Sequence, residues 1–194
     1  MDALQNAIAR FDAENARDPN VELDGATPCP RELLYARRLT DWVLKLAPDA
    51  SEPLRLAARC QHLCRWMIPR EEYPMTRAGY LRWRNHLKQF HADKAEAVLR
   101  ETGCSAEVIS KVRDLNLKKN FPHDSDSQIL EDALCLVFLE FQFGPLARKT
   151  PEEKILNAVR KTWAKMSDAA RQKALALPFA AEERRLLNLA LNGG

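Results

Sequence analysis

The sequence predicts an all-α fold of about eight or nine helices, and three observations carry that prediction. Apolar residues recur at three- and four-residue intervals through almost every segment. Pro, Gly and short polar residues fall between those segments, where helices start and stop. No stretch shows the strict apolar–polar alternation of a half-buried strand. The 194 residues are 46% hydrophobic and 29% charged, enough for one domain with its own core over residues 1–194.

The elements follow in order. Residues 2–17 read as an amphipathic helix, closed by the turn-like Asp18-Pro19-Asn20. Residues 21–30 hold Gly25, Pro28 and Pro30 and read as a loop. Pro30 suits the first turn of a helix over 31–47, which Pro48 stops. Ser51 caps the next helix, expected to run to Met67 with Leu56, Cys60, Leu63 and Met67 as its core stripe. Pro69 and Pro74 bracket an irregular loop. Thr76 then caps a long helix to Glu101, with Gly103 as its C-terminal cap. Ser105 starts a helix to Lys118, and 120–127 is a polar turn. Residues 128–143 form the most apolar helix, with Leu130, Leu134, Val137 and Phe141 inward and Gly144-Pro145 as its stop. Thr150-Pro151-Glu152-Glu153 offers a capping box for a helix to Met166. Ser167 and Ala181 begin two short helices before a Gly-Gly tail, and the helices of 150–192 are expected to pack on the core.

Charge and cysteine usage narrow the class. The net charge of +3 hides a concentration, with seven basic residues between Arg59 and Lys88 against Glu71 and Glu72, while the rest of the chain is net negative. Six of the seven are Arg, the side chain suited to bidentate contact with phosphate or carboxylate. His62, Trp66, Tyr73, Tyr80 and Trp83 are interleaved with them. The five cysteines include no CxxC pair, and the acidic amphipathic start is not a signal peptide, so the thiols are expected to be reduced and the protein cytoplasmic. Cys60 and Cys64 share a helical face, with His62 pointing about 200° away, which reads as core packing rather than a metal half-site. No apolar run reaches the ~18–20 residues of a membrane span. The phosphate-loop, dinucleotide, zincin and nucleophile-elbow motifs are all absent.

Four groups of residues carry possible chemistry. On the long helix Arg77, Tyr80, Arg84 and His91 fall within about 60° of one face, beside an apolar face of Trp83, Leu87 and Phe90. With Arg65, Arg70 and Tyr73 these residues predict an anion site. Glu131 and Asp132 lie inside an apolar helix, where a buried carboxylate needs a partner, and three readings stand: an internal salt bridge to arginine, a metal-binding or catalytic role, or exposure. Lys154, Lys161 and Lys165 form a basic stripe that meets either solvent or an anion, and Lys161 joins the candidate ligand set.

ELLYARRLTDWVLKL, LRLAARCQHLCRW, FHADKAEAVLRETGCSAEVISKV and QILEDALCLVFLE resemble the core segments of HD-type helical phosphohydrolases, over residues 31–143. That resemblance places His91 and Asp132 at metal-binding positions; a metal-assisted reading, with a divalent metal, adds His62 as a ligand with Asp132 or Glu131, and gives His62, Glu131 and Asp132 the catalytic roles through a metal-bound water. The chain departs from the family pattern at Tyr35, where the first metal histidine would stand, and at Gln61-His62, in place of the His-Asp dyad. RELLYARRLTDW, ARCQHLCRWMIPREEYPMTRAGYLRWR, LEDALCLVFLEFQF and RKTWAKMS are similar to the domain-of-unknown-function 4202 family over nearly the whole chain. The expected function is binding of a phosphorylated small molecule or nucleotide, with or without metal-assisted hydrolysis. Two alternatives remain: a non-catalytic RNA- or nucleotide-binding module, and a protein-interaction bundle in which the arginines are structural.

Overall fold

The computed structural model describes residues 2–192, so the Gly-Gly tail lies outside the described residues. Ten α-helices and one two-stranded hairpin make up the described chain, a predominantly α architecture as expected. The described residues divide after Ser127 into two compact units.

The first unit opens with α1 (Ala3–Asn15), whose first turn is capped by the Asp2 carboxylate accepting from the Gln5 N–H at 2.8 Å. It buries Ala7, Phe11 and Asn15. Residues 21–30 correct the loop reading: Val21–Asp24 (β1) pairs antiparallel with Thr27–Pro30 (β2), Asp24 opposite Thr27. Gly25, at φ +61°, is the first of the two turn residues Gly25-Ala26, a position where a two-residue hairpin turn needs a positive φ. α2 (Arg31–Leu46) has no cap from Pro30 itself. Instead Asp18, 14 residues upstream, accepts from the Glu32 N–H at 3.0 Å, while its other oxygen takes the Asn20 N–H and side-chain amide.

α3 (Glu52–Cys60), capped by Ser51, is shorter than expected. Cys64 adopts φ +55°, and a single 3₁₀ turn, Arg65–Met67, follows. The break has a specific partner: the Asn15 amide oxygen accepts from the Cys64 N–H at 3.1 Å, replacing the bond that an unbroken helix would make to Cys60. Leu56, Cys60 and Leu63 are buried as predicted, but Met67 is 53% exposed because the chain has turned before reaching it. α4 (Arg77–Glu101) starts on Thr76 and ends before Gly103 at φ +79°, as read from the sequence. α5 (Ala106–Leu117) starts on Ser105 and ends on Lys118 in the left-handed region. α3 packs on α2 and α5, and α4 on α5, around Leu39, Val43, Leu54, Leu56, Leu99 and Val112.

Gly79 lets the Pro69–Pro74 loop close on α4. A Cβ there would overlap the Pro74 carbonyl oxygen and lie 2.9 Å from its carbon, and both are backbone atoms that cannot swing aside. Gly79→Ala is therefore expected to lower stability by about 1–3 kcal/mol, the range for overpacking. Thermal unfolding checks it, with a Tm shift of roughly 2–4 °C per kcal/mol at this size.

α6 (Ser125–Val137) begins three residues earlier than read and passes through a five-residue π-helical turn, Phe138–Gln142, into α7 (Phe143–Ala147). The helical path thus continues through Gly144-Pro145 instead of stopping there, because Pro145 falls in the first turn of α7, where its missing N–H costs nothing. α8 (Glu152–Trp163) takes Pro151 as its N-cap with no side-chain bond, so the capping box is not formed: the helix begins one residue too late for Thr150 to reach it. α9 (Asp168–Leu175) is capped by Ser167, and α10 (Ala181–Asn192) follows. Phe143, Ile155, Val159, Leu186, Leu187 and Ala190 form the second unit's core, with Trp163 and Phe179 against it.

Candidate functional site

The break after α3 builds a cleft. It brings Gln61, His62 and Arg65 into the wall of a cavity of about 220 Å³. α4 supplies Arg84, Lys88 and His91, spaced i, i+4 and i+7 on one face, and the end of α5 supplies Asn116 and Lys118. Four cationic side chains therefore share one small cavity. Their crowding shows in their titration: burial, then the charges of Lys118 and Arg84, push Lys88 below its ordinary value. Burial also lowers Arg65, with Arg84 adding to the effect against the opposing pull of Glu32.

Glu32 stands behind this wall. It is 3% exposed, with Oε1 3.9 Å from Arg65 Nε and 3.7 Å from Arg31 Nε, and Oε2 3.3 Å from His62 Nδ1. Burial outweighs the Arg65 and Arg31 guanidinium groups and pushes the Glu32 carboxyl up to about 7. His62 lies flat against Tyr35, ring centroids 4.1 Å apart and planes within 10°. Burial and then Arg65 hold it well below the ordinary histidine value, so it faces the cleft as neutral imidazole. His91 is buried behind it, and its Nδ1 lies 2.9 Å from the Leu63 carbonyl oxygen. A carbonyl only accepts, so Nδ1 carries the proton and Nε2 is left as an acceptor. Burial, followed by His62, lowers His91 to about 3.

Three of the residues lining this cavity each carry a buried acceptor with no protein partner: His91 Nε2, Gln61 Oε1 and Asn116 Oδ1. Asn116 spends its amide N–H₂ on Cys60 Sγ at 3.2 Å, which turns the oxygen the other way. An unmet buried acceptor costs about 1–3 kcal/mol, so three around one cavity mark it as a place where a donor-bearing ligand or water belongs.

The residues singled out in the sequence divide sharply. His62, Arg65, Arg84 and His91 line the cleft. Arg70 does not: its guanidinium holds the Tyr73 and Pro74 carbonyls at 2.9 Å each and closes the loop. The Tyr73 hydroxyl bonds to His86 Nδ1. Trp83 is buried, donates its indole N–H to the Ile68 carbonyl at 2.9 Å and carries Arg65 over its ring at 4.8 Å. Tyr80, 46% exposed, stands 5.9 Å from Trp83, and Arg77 is exposed at the first residue of α4; neither lines the cleft. In the second unit, Glu131 is in a salt bridge with Lys165 (3.1 Å), the first of the three readings with lysine in place of arginine. Asp132 accepts from the Ser167 N–H (2.8 Å), the Ser167 hydroxyl (2.5 Å) and the Gln128 amide (3.0 Å). Lys161 is exposed on α8. Among the described residues no group of three His, Cys, Asp or Glu is placed to hold a metal ion. No disulfide joins the five cysteines, and among the described residues no helix is long and apolar enough to cross a membrane.

Glu32, Gln61, Lys88, Asn116 and Lys118 were not read as site residues. Two had a signal. Asn116 interrupts the apolar stripe of Ile109 and Val112, and Lys88 completes the Arg84–His91 face. Glu32, between the arginine and two leucines of Arg31-Glu32-Leu33-Leu34, looks like an ordinary first-turn acid, and only the fold shows that it is buried.

A family model described as "Domain of unknown function (DUF4202)" matches residues 5–187, and the chain belongs to that family. No curated protein and no solved structure matches it significantly.

Proposed function

We propose that this member of the DUF4202 family binds a small phosphorylated ligand in the cleft between the Gln61–Arg65 turn, α4 and the end of α5. The observation that carries the reading is the meeting of Arg65, Arg84, Lys88 and Lys118 on one cavity whose neighbouring carboxylate, Glu32, is driven toward its neutral form by burial. Cations gathered on one cavity repel one another, and a phosphate relieves that repulsion while gaining charge-assisted hydrogen bonds. The aromatic side chains favour a small ligand over RNA: Trp83 is buried and covered by Arg65, and His62 is stacked on Tyr35, so neither offers a base an open face. A role for His62 as proton acceptor at the cleft wall is supported by its neutral form and its stacking on Tyr35.

Calorimetric titration with methyl phosphate tests the reading. Arg84→Ala should weaken binding tenfold or more, the equivalent of about 1.4 kcal/mol, with little change in melting temperature because Arg84 is exposed. Arg77→Ala, outside the cleft, should bind as the parent does. Equal losses from both substitutions, or from neither, would overturn the assignment.

A further inference from the structure

The unpartnered acceptors specify what the phosphate is attached to. We infer that the cleft takes the phosphate monoester of a small polyhydroxy compound, a sugar or polyol phosphate, with the phosphate on the Arg/Lys wall and the hydroxyls donating to Gln61 Oε1, His91 Nε2 and Asn116 Oδ1. This rests on the anion reading above and adds the other end of the ligand.

Three observations select that class. The orphaned atoms are all acceptors: two amide oxygens and one imidazole nitrogen whose partner nitrogen is committed to Leu63. His91 and Asn116 are 4% and 2% exposed, so a donor that serves them has to come from within the cavity. Those donors are uncharged, because an ammonium group would enter a cavity already lined by Arg65, Arg84, Lys88 and Lys118. A hydroxyl is the neutral donor that also accepts, so it can bond to an amide oxygen and turn its lone pairs toward a neighbouring lysine. Size makes the third argument. The cavity of about 220 Å³ lies below the roughly 300–1,000 Å³ of sites for drug-sized ligands. It suits a phosphorylated sugar better than a whole nucleotide, whose base would also find no exposed aromatic face here.

The test is calorimetry on the full chain with four probes: inorganic phosphate, methyl phosphate, ribose 5-phosphate and adenosine 5′-monophosphate. Ribose 5-phosphate should bind at least tenfold more tightly than methyl phosphate, and the adenosine nucleotide no more tightly than ribose 5-phosphate. Gln61→Leu and Asn116→Leu should each shrink the ratio between ribose 5-phosphate and methyl phosphate to threefold or less. Gln61 is only partly buried, so its variant remains informative should Asn116→Leu fail to fold. Methyl phosphate and ribose 5-phosphate binding equally, both dependent on Arg84, would overturn the sugar-phosphate assignment and leave the anion site standing. A tenfold preference for the nucleotide would replace it with a nucleotide site. Failure of every probe to bind would overturn both readings.

Discussion

Asp132→Ala should cost the protein about 3–5 kcal/mol of stability, at ~1.5–3 kcal/mol for each hydrogen bond to a charged group and with partial compensation by water. Three donors converge on that carboxylate: the Ser167 N–H, the Ser167 hydroxyl and the Gln128 amide. Ser167 is itself the N-cap of α9, its Oγ accepting from the Ala170 N–H at 3.2 Å. Gln128 also donates to the Lys165 carbonyl at 3.0 Å. The carboxylate therefore ties the start of α9, and the turn before it, to α6. Removing it leaves donors without their acceptor at a buried position, one of the few mechanisms that produce losses of this size. Against a typical total of roughly 5–15 kcal/mol this is a large fraction. Urea unfolding should show a lower midpoint at unchanged slope. Asp132→Asn, which keeps one acceptor oxygen in place, should lose markedly less. A loss below about 1 kcal/mol for Asp132→Ala would mean that these bonds hold little together, and would restore the case for a chemical role.

Asp132 also shows what the sequence could and could not disclose. Two acids in an apolar helix announced that at least one was buried and partnered. The partner's identity depended on a turn 35 residues downstream, and Ser167 was legible only as a cap. The helices themselves were readable because their signals are local: Thr76 and Ser105 as caps, Gly103 beyond the end of α4, Pro30 before α2. The errors fall where a distant residue overrides the local pattern. Asn15 takes the Cys64 N–H and breaks α3, and that break forms the cleft. A periodic reading extends the helix to Met67 and points His62 away from everything useful. The arginine concentration was visible, but its division was not. Arg65 and Arg84 face the cleft, whereas Arg70, with equal claim from charge alone, holds two carbonyls. Sequence spacing placed Arg77 and Arg84 on one face of α4 but gave no sign of how far along that face the cavity extends.

Glu32→Gln should reverse part of the protein's pH dependence, and its sign follows from the direction of the shift. The Glu32 carboxyl titrates near an ordinary 4.5 in the unfolded chain and near 7 in the fold. Between those values the folded state holds a proton that the unfolded state has released, so raising the pH through this window favours unfolding. Below about 4.5 the group contributes nothing to the slope, and above about 7 the full cost is present. A shift of this size corresponds to roughly 3 kcal/mol, at about 1.4 kcal/mol per pH unit. Glutamine has the shape of the protonated acid and carries no charge, so it should remove the cost without emptying the site. His91 works in the opposite sense. Its folded value near 3 lies below its ordinary 6.5, so the stability it contributes is complete above about 6.5 and declines as the pH falls toward 3. The parent's stability curve is the sum of both trends, and only the difference between parent and variant isolates Glu32. Urea unfolding at pH 5 and pH 8 gives that difference. The variant should be close to the parent at pH 5 and more stable than it by about 2–3 kcal/mol at pH 8. A variant less stable than the parent at pH 8 would show that the ionised carboxylate gains more from Arg65 and Arg31 than burial takes away. In that case Glu32 would neutralise part of the cationic wall at physiological pH, and the anion site would rest on a smaller surplus of charge.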